Sequence, residues 1–212
     1  MTRRARKMLQ PAKRKFVPVA DALYLAFFKP YGCLSQFTPE PGSDKETLSA
    51  FGFPPKVYPI GRLDWNSEGL LLLSDDGDLN FELLNPEKKH RRTYLVQVEN
   101  MPSQEALRKL ESGLVLDGRR TLPAQAGLVE EPALPPRAVP IRFRQSIPTA
   151  WISLTLTEGR NHQVRRMTAA VGHPTLRLVR ASIGELQLAA LGLEPGKWRK
   201  LTAVELQDAL AD

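Results

Sequence analysis

The sequence predicts an α+β fold, a mixed and largely antiparallel sheet with flanking helices. Eighteen prolines and 14 glycines in 212 residues punctuate the chain into short elements, the rhythm of a sheet-rich domain. Runs suited to strands outnumber those suited to helices. Several connections are too short to hold the crossover helix that parallel neighbours require, so antiparallel pairing should dominate. The length fits one large domain or two small ones, enough to bury a real core, and no repeat of solenoid spacing is visible.

Residues 22–28 are a continuous apolar run, a buried strand that stops at the turn Lys29-Pro30-Tyr31-Gly32. Strands are expected next at 57–60 and 70–74, with Asp75-Asp76-Gly77 turning into a short apolar helix at 79–84. A further strand follows at 93–98. Ser103 is placed to cap a helix over 104–112, with Glu105 in its first turn and Gly113 just beyond its last. Residues 124–129 read as a strand, and 130–140, with four prolines, as a surface loop. The alternation over 151–157 marks a half-buried strand. Asn161 can then cap a helix over 162–171 that ends at Gly172. Strands at 176–179 and 183–188 follow, and Thr202 with Glu205 forms a capping box for the last helix.

The chain carries 30 Lys and Arg against 23 Asp and Glu, a formal charge of +7. Arg3, Arg4, Arg6, Lys7, Lys13, Arg14 and Lys15 precede the first acid, Asp21, and the remainder balances at 23 of each sign. The sequence therefore divides into a basic, solvated arm over residues 1–20 and a folded domain over 21–212. An arm of this kind suits a nucleic-acid backbone, though a passive tail has the same composition.

Other classes drop out. Cys33 is the only cysteine, so no intramolecular disulfide and no cysteine zinc site can form, which suits a reducing cytoplasm. His90, His162 and His173 lack metal-ligand spacing, so no metal is expected. No apolar run approaches the roughly 20 residues of a membrane span. Gln10, Pro11 and Lys13 interrupt the place where the apolar core of a signal peptide would lie. The segment 192–198 is too short between its glycines for a phosphate loop, and Trp198 replaces the required hydroxyl.

Three clusters carry candidate chemistry. Gly61-Arg62-Leu63-Asp64, followed by Ser67 and the run to Ser74, puts an arginine and a carboxylate in a tight bend between two strands. Taken alone, Arg62 and Asp64 read more readily as a surface ion pair beside a buried strand than as a functional pair. Glu158-Gly159-Arg160-Asn161-His162-Gln163-Val164-Arg165-Arg166-Met167 places His162, Arg165 and Arg166 on one face at a helix start, with Val164 and Met167 turned elsewhere. Three bases there oppose the helix dipole, so they make better sense facing phosphates or a catalytic carboxylate than as a solvated face. Lys88-Lys89-His90-Arg91-Arg92 leads into Thr93-Tyr94, a basic run beside a flat stacking surface or a loop beside a core tyrosine.

Together these segments resemble the signatures of the RsuA family of ribosomal RNA pseudouridine synthases. Lys29-Pro30-Tyr31-Gly32, Arg92-Thr93-Tyr94, and Gly172-His173-Pro174 through Leu178 to Ile183-Gly184 take their places in the same order. The match runs over residues 25–205. Members of the family usually begin with a small RNA-binding module of a type also found in ribosomal proteins. About twenty residues precede the first strand here, which points to the family's short branch. Ser67 and Ser74 stand where the family commonly has threonine; both retain the hydroxyl.

The resemblance implies the pseudouridine synthase fold with a central RNA-binding cleft, residues 21–212 being the catalytic domain, two lobes sharing one sheet. It implies an isomerase that flips a uridine of 23S ribosomal RNA, cleaves its glycosidic bond and rejoins the base through C5, with no cofactor and no metal. Asp64 is the implied catalytic carboxylate, Arg165 its ion-pair partner, Tyr94 the stacking residue and Val164 an apolar contact on the pocket wall. Arg62 would fill the vacated place in the RNA stack. Lys88, Lys89, Arg91, Arg160 and Arg166 are the implied phosphate contacts. The implied partner is large-subunit ribosomal RNA, as a stem-loop or assembly intermediate, met by a monomer in the cytoplasm without a membrane. Two readings from other classes predict different products: a non-catalytic ribosome-assembly protein would leave uridine unmodified, and an N-glycosidase would release free uracil.

Overall fold

The computed structural model describes residues 16–141 and 147–211, so the basic segment 1–15 lies outside the described residues. The chain runs in order through β1 (Tyr24–Lys29), β2 (Glu68–Ser74), α1 (Gly77–Leu84), β3 (Arg92–Glu99), α2 (Gln104–Ser112), β4 (Gln125–Val129), β5 (Thr149–Leu156), α3 (Gln163–Ala170), β6 (Thr175–Ile183), β7 (Trp198–Lys200) and α4 (Ala203–Leu210). The seven strands lie in one sheet in the order β7-β1-β2-β6-β3-β5-β4, with the short segments Tyr58–Pro59 and Leu186–Gln187 added to β2 and β6. Every neighbouring pair is antiparallel except β2 and β6, so the α+β expectation holds.

The apolar runs become strands buried on both faces. Every residue of β2 is buried. Leu70 and Leu72 pack with Ala26 and Phe28 against α1 and α4, through Leu79, Leu83, Leu206 and Ala209. Leu71 and Leu73 pack with Leu25 and Phe27 on the other face, against Leu48 and Val57. Such side chains contribute roughly 1.5–3 kcal/mol each relative to exposure, so β1 and β2 anchor one half of the sheet. The other half packs β3 and β5 on α2 and α3, through Val96, Val98, Ile152, Leu154, Leu107, Leu110, Val164 and Met167.

The halves join where β2 meets β6, with Val179 opposite Glu68 and Arg180 opposite Gly69. Gly69 has φ +108°, and a Cβ there would lie 2.4 Å from the Arg180 carbonyl oxygen. Only glycine admits this approach, and it brings two charged positions, Glu68 and Arg180, into the middle of the sheet.

The capping residues act as the sequence predicts for α2, where Ser103 accepts from Ala106 N, and for α4, which has the Thr202 and Glu205 capping box. At α3 the expectation is corrected. The helix begins at Gln163 with His162, not Asn161, in the capping position, at φ 50° and without a side-chain cap bond. Gln163 closes the turn instead, accepting from Arg160 N at 2.9 Å and donating to Glu158 at 2.7 Å. The two strands expected over 176–188 are one nine-residue strand, β6, with register shifts against β3, followed by the two-residue Leu186–Gln187. The hairpin of Val115–Leu116 with Arg119–Arg120 and the edge strand β7 carry too few residues for a periodic signal. Among the described residues no helix is long and apolar enough to cross a membrane.

Candidate active site

A cleft of about 670 Å³ opens over the junction of the two halves. Its walls are the loop 61–67 before β2 and the turn 158–162 with the first residues of α3, Gln163 and Val164, and Arg92, Tyr94, Leu178 and Arg180 of β3 and β6 line it. Of the expected residues, Arg62, Asp64, Tyr94, Arg160 and Val164 line this cleft, whereas Lys88, Lys89, Arg91, Arg165 and Arg166 do not.

The loop that carries Asp64 is fastened from below by the Lys29-Pro30-Tyr31-Gly32 segment. Lys29 Nζ donates to Ser67 O at 2.7 Å, and Gly32 N to Trp65 O at 2.9 Å. Ser35 Oγ donates to Leu63 O at 2.8 Å and accepts from Leu63 N at 3.1 Å. The Tyr31 and Trp65 rings meet at 5.2 Å. Lys29 is fully buried, and burial pushes its ammonium down to about 8, opposed by the charges of Cys33, Glu68 and Asp64. The same burial pushes the Cys33 thiol up to about 11.

Asp64 is held through one oxygen. Oδ2 lies 3.2 Å from His162 Nδ1 and 3.4 Å from Ser67 Oγ. Among the described residues Oδ1 has no hydrogen-bond partner. Arg165, the expected ion partner, makes no ion pair with Asp64 among the described residues and donates to Asn66 O at 2.7 Å, under the same loop. Burial lowers the Arg165 pKa from its ordinary value, and the Asp64 charge is the largest effect opposing that shift. Arg165 thus acts on Asp64 at longer range, and His162 makes the direct contact.

Among the described residues the cleft lining contains one other carboxylate, Glu158. It is occupied: Oε1 accepts from Leu122 N at 2.8 Å and Gln163 Nε2 at 2.7 Å, and Oε2 accepts from Arg160 Nε at 3.1 Å.

Tyr94 is half-buried on the cleft floor, opposite Arg180 in the β3–β6 register. Two arginines of β6 are buried in contrasting ways. Arg177 makes a two-pronged pair with Glu68, Nε to Oε1 at 3.0 Å and Nη2 to Oε2 at 2.8 Å, and also donates to Pro135 O. Arg180 donates Nε to Leu70 O at 2.7 Å; among the described residues it has no carboxylate partner, and its Nη2 is buried without a hydrogen bond. Burial lowers its pKa, and Tyr94 opposes that shift. The sequence signal for Glu68 and Arg180 was a charge inside an otherwise apolar strand, which cleft motifs elsewhere overshadowed.

The expected phosphate contacts are largely engaged within the protein. Lys88 pairs with Glu82 at 2.8 Å, Arg91 with Glu185, Arg160 with Glu158, and Arg166 with Asp117 at 2.5 Å. His162, Arg165 and Arg166, read as one basic face, therefore turn to three different partners. Lys89 is exposed at φ 55°, and Arg62 is at the cleft with a 3.4 Å bond to Gln36.

The family model described as RNA pseudouridylate synthase matches residues 23–170. The ribosomal large subunit pseudouridine synthase E of Xanthomonas campestris pv. campestris is 52% identical over 172 residues, 81% of this chain and 91% of that protein. Its namesake in Vibrio vulnificus is 46% identical over 189 residues, 89% and 79% of the two chains. The ribosomal large subunit pseudouridine synthase B of Bacillus subtilis is 37% identical over 194 residues, 91% and 74%. A crystal structure of a pseudouridylate synthase superposes with TM-score 0.73 at 29% identity, covering 90% of this chain and 75% of that one.

Proposed function

The chain belongs to the RNA pseudouridylate synthase family, and on that premise we propose that it converts one uridine of large-subunit 23S ribosomal RNA to pseudouridine with Asp64 at the reacting sugar. The reaction breaks the N1–C1′ bond, turns the uracil and joins C5 to C1′. The C5 proton is lost and N1 gains one, so the change is an isomerisation. Either Asp64 attacks C1′ and forms a sugar ester, or it takes the C2′ proton on a glycal route. Both routes need a carboxylate with a free oxygen in the cleft.

One observation carries this reading. Among the described residues the cleft lining holds two carboxylates, Glu158 with both oxygens bonded and Asp64 with Oδ1 unbonded. Arg165 adds positive charge beneath the Asp64 loop. Tyr94 on the floor offers a ring for the flipped uracil, and Val164 an apolar wall. Extruding the base costs on the order of a few kcal/mol, and the planar guanidinium of Arg62 is suited to fill the gap it leaves. The proposed setting is a monomer acting on ribosomal RNA in the cytoplasm.

Asp64→Asn tests the assignment. Pseudouridine formation on 23S RNA, read by carbodiimide labelling and primer extension, should disappear while RNA binding persists. Normal modification by the variant overturns it. Unaltered ribosomal pseudouridines in a strain lacking the protein would favour a non-catalytic assembly role.

A further inference from the structure

The cations expected to meet phosphates beside α3 are already spent on a neighbouring piece of the protein. Val115–Leu116 and Arg119–Arg120 pair antiparallel across Asp117 and Gly118, which have φ +50° and +72°. Two successive positive φ values make the tight hairpin turn that an aspartate-glycine pair favours. The turn is closed at its base by Thr121 N donating to Leu114 O at 2.8 Å and Leu114 N to Thr121 Oγ1 at 2.9 Å.

The hairpin is fastened to the cleft wall by the residues read from sequence as phosphate contacts. Arg160 donates Nη1 to Arg119 O at 3.2 Å and Nη2 to Arg120 O at 2.6 Å. Arg166 pairs with Asp117, the one acid in the turn. Arg160 itself lines the cleft, so the hairpin stands against its rim. Arg119 and Arg120 are exposed there, and among the described residues neither is ion-paired. Arg120 reaches only Ser112 O, at 3.3 Å. A tight hairpin whose second strand presents two unneutralised guanidiniums beside a cleft gains nothing in stability from this placement, since the two cations repel each other and remain solvated.

We propose that the Val115–Arg120 hairpin is an RNA-backbone-binding element: Arg119 and Arg120 contact phosphates near the flipped nucleotide, and Arg160 and Arg166 hold the hairpin in place. This rests on the RNA-substrate reading above. Successive strand residues leave on opposite faces, so the two side chains reach separate phosphates. Each such contact carries no base information but positions the strand entering the cleft.

The test is the R119A/R120A variant of the full chain, with binding of a 23S RNA fragment followed by fluorescence anisotropy over a salt series. Affinity should fall about tenfold near 0.15 M salt, and the slope of log K against log salt should shrink in magnitude by about 1 to 2, as loss of two phosphate contacts requires. KM for RNA should rise by a similar factor, and R119K/R120K should restore the slope. The comparison variant K197A/K200A removes two exposed cations at β7, the opposite edge of the sheet. An unchanged slope in R119A/R120A, or an equal loss in K197A/K200A, overturns the proposal. A wild-type chain that binds the RNA but forms no pseudouridine would refute the enzymatic reading alone, because the hairpin is judged on binding.

Discussion

His162 Nδ1 lies 3.2 Å from Asp64 Oδ2, so the carboxylate at the head of one loop is tethered to the residue just before α3 on the other side of the cleft. The tether has a backbone cause. His162 adopts φ 50° and ψ 29°, a conformation uncommon outside glycine and asparagine, and this turns the imidazole back toward Asp64 instead of along α3. Ser67 Oγ approaches the same oxygen. With Oδ2 held from two sides, the carboxylate presents Oδ1.

The magnitude of this contact decides its role. The His162 side chain is 48% exposed, and pairs at such sites are worth about 1 kcal/mol or less. His162→Ala should therefore slow single-turnover modification at saturating RNA severalfold and leave RNA affinity unchanged, in contrast to complete loss in Asp64→Asn. A fall beyond a hundredfold would instead mean that the imidazole carries a proton in the reaction.

Glu68 predicts a larger effect on stability. It is 2% exposed and is the sole carboxylate among the described residues on Arg177, which is 7% exposed. Removing one partner leaves a buried charge without compensation, at a cost of about 3–5 kcal/mol. Glu68→Ala should lower the urea midpoint accordingly, and adding Arg177→Met to it should recover most of the loss. No recovery would show that the pair stabilises through its geometry at the β2–β6 junction.

The sheet and the caps of α2 and α4 are legible because each rests on local chemistry, apolar runs and a serine or threonine before a helix, whereas the bend around Asp64 reads by itself as a surface ion pair and stands out only through the family resemblance. The sites of error are long-range. The resemblance implies Arg165 as the direct partner of Asp64, yet the guanidinium finds a carbonyl of Asn66, 99 positions earlier in the chain, and the intervening fold decides that contact. Arg160 and Arg166 read from sequence as free cations although Glu158 stands two residues from Arg160, because Asp117 and the Arg119 and Arg120 carbonyls that also engage them lie about 40 to 50 residues away in the chain. A count of cations on one helix face cannot show which of them other elements have already engaged.

Lys29 gives a pH dependence whose sign is fixed by burial. Its ammonium titrates at about 8 in the folded protein and at 10.5 when unperturbed. Between those values the unfolded chain holds a proton that the folded one lacks, so stability rises with pH, by about 1 kcal/mol per unit at most. Cys33 acts oppositely, because its thiol moves from 9.0 up to about 11, and the unfolded chain loses that proton first. The window from pH 8 to 9 therefore belongs to Lys29. The urea midpoint of the wild type should climb across it, whereas Lys29→Met should be flat there and decline above pH 9 with the thiol. A climb of the same size in Lys29→Met would place the titrating group elsewhere and leave the Asp64 loop fastened by a lysine that stays charged.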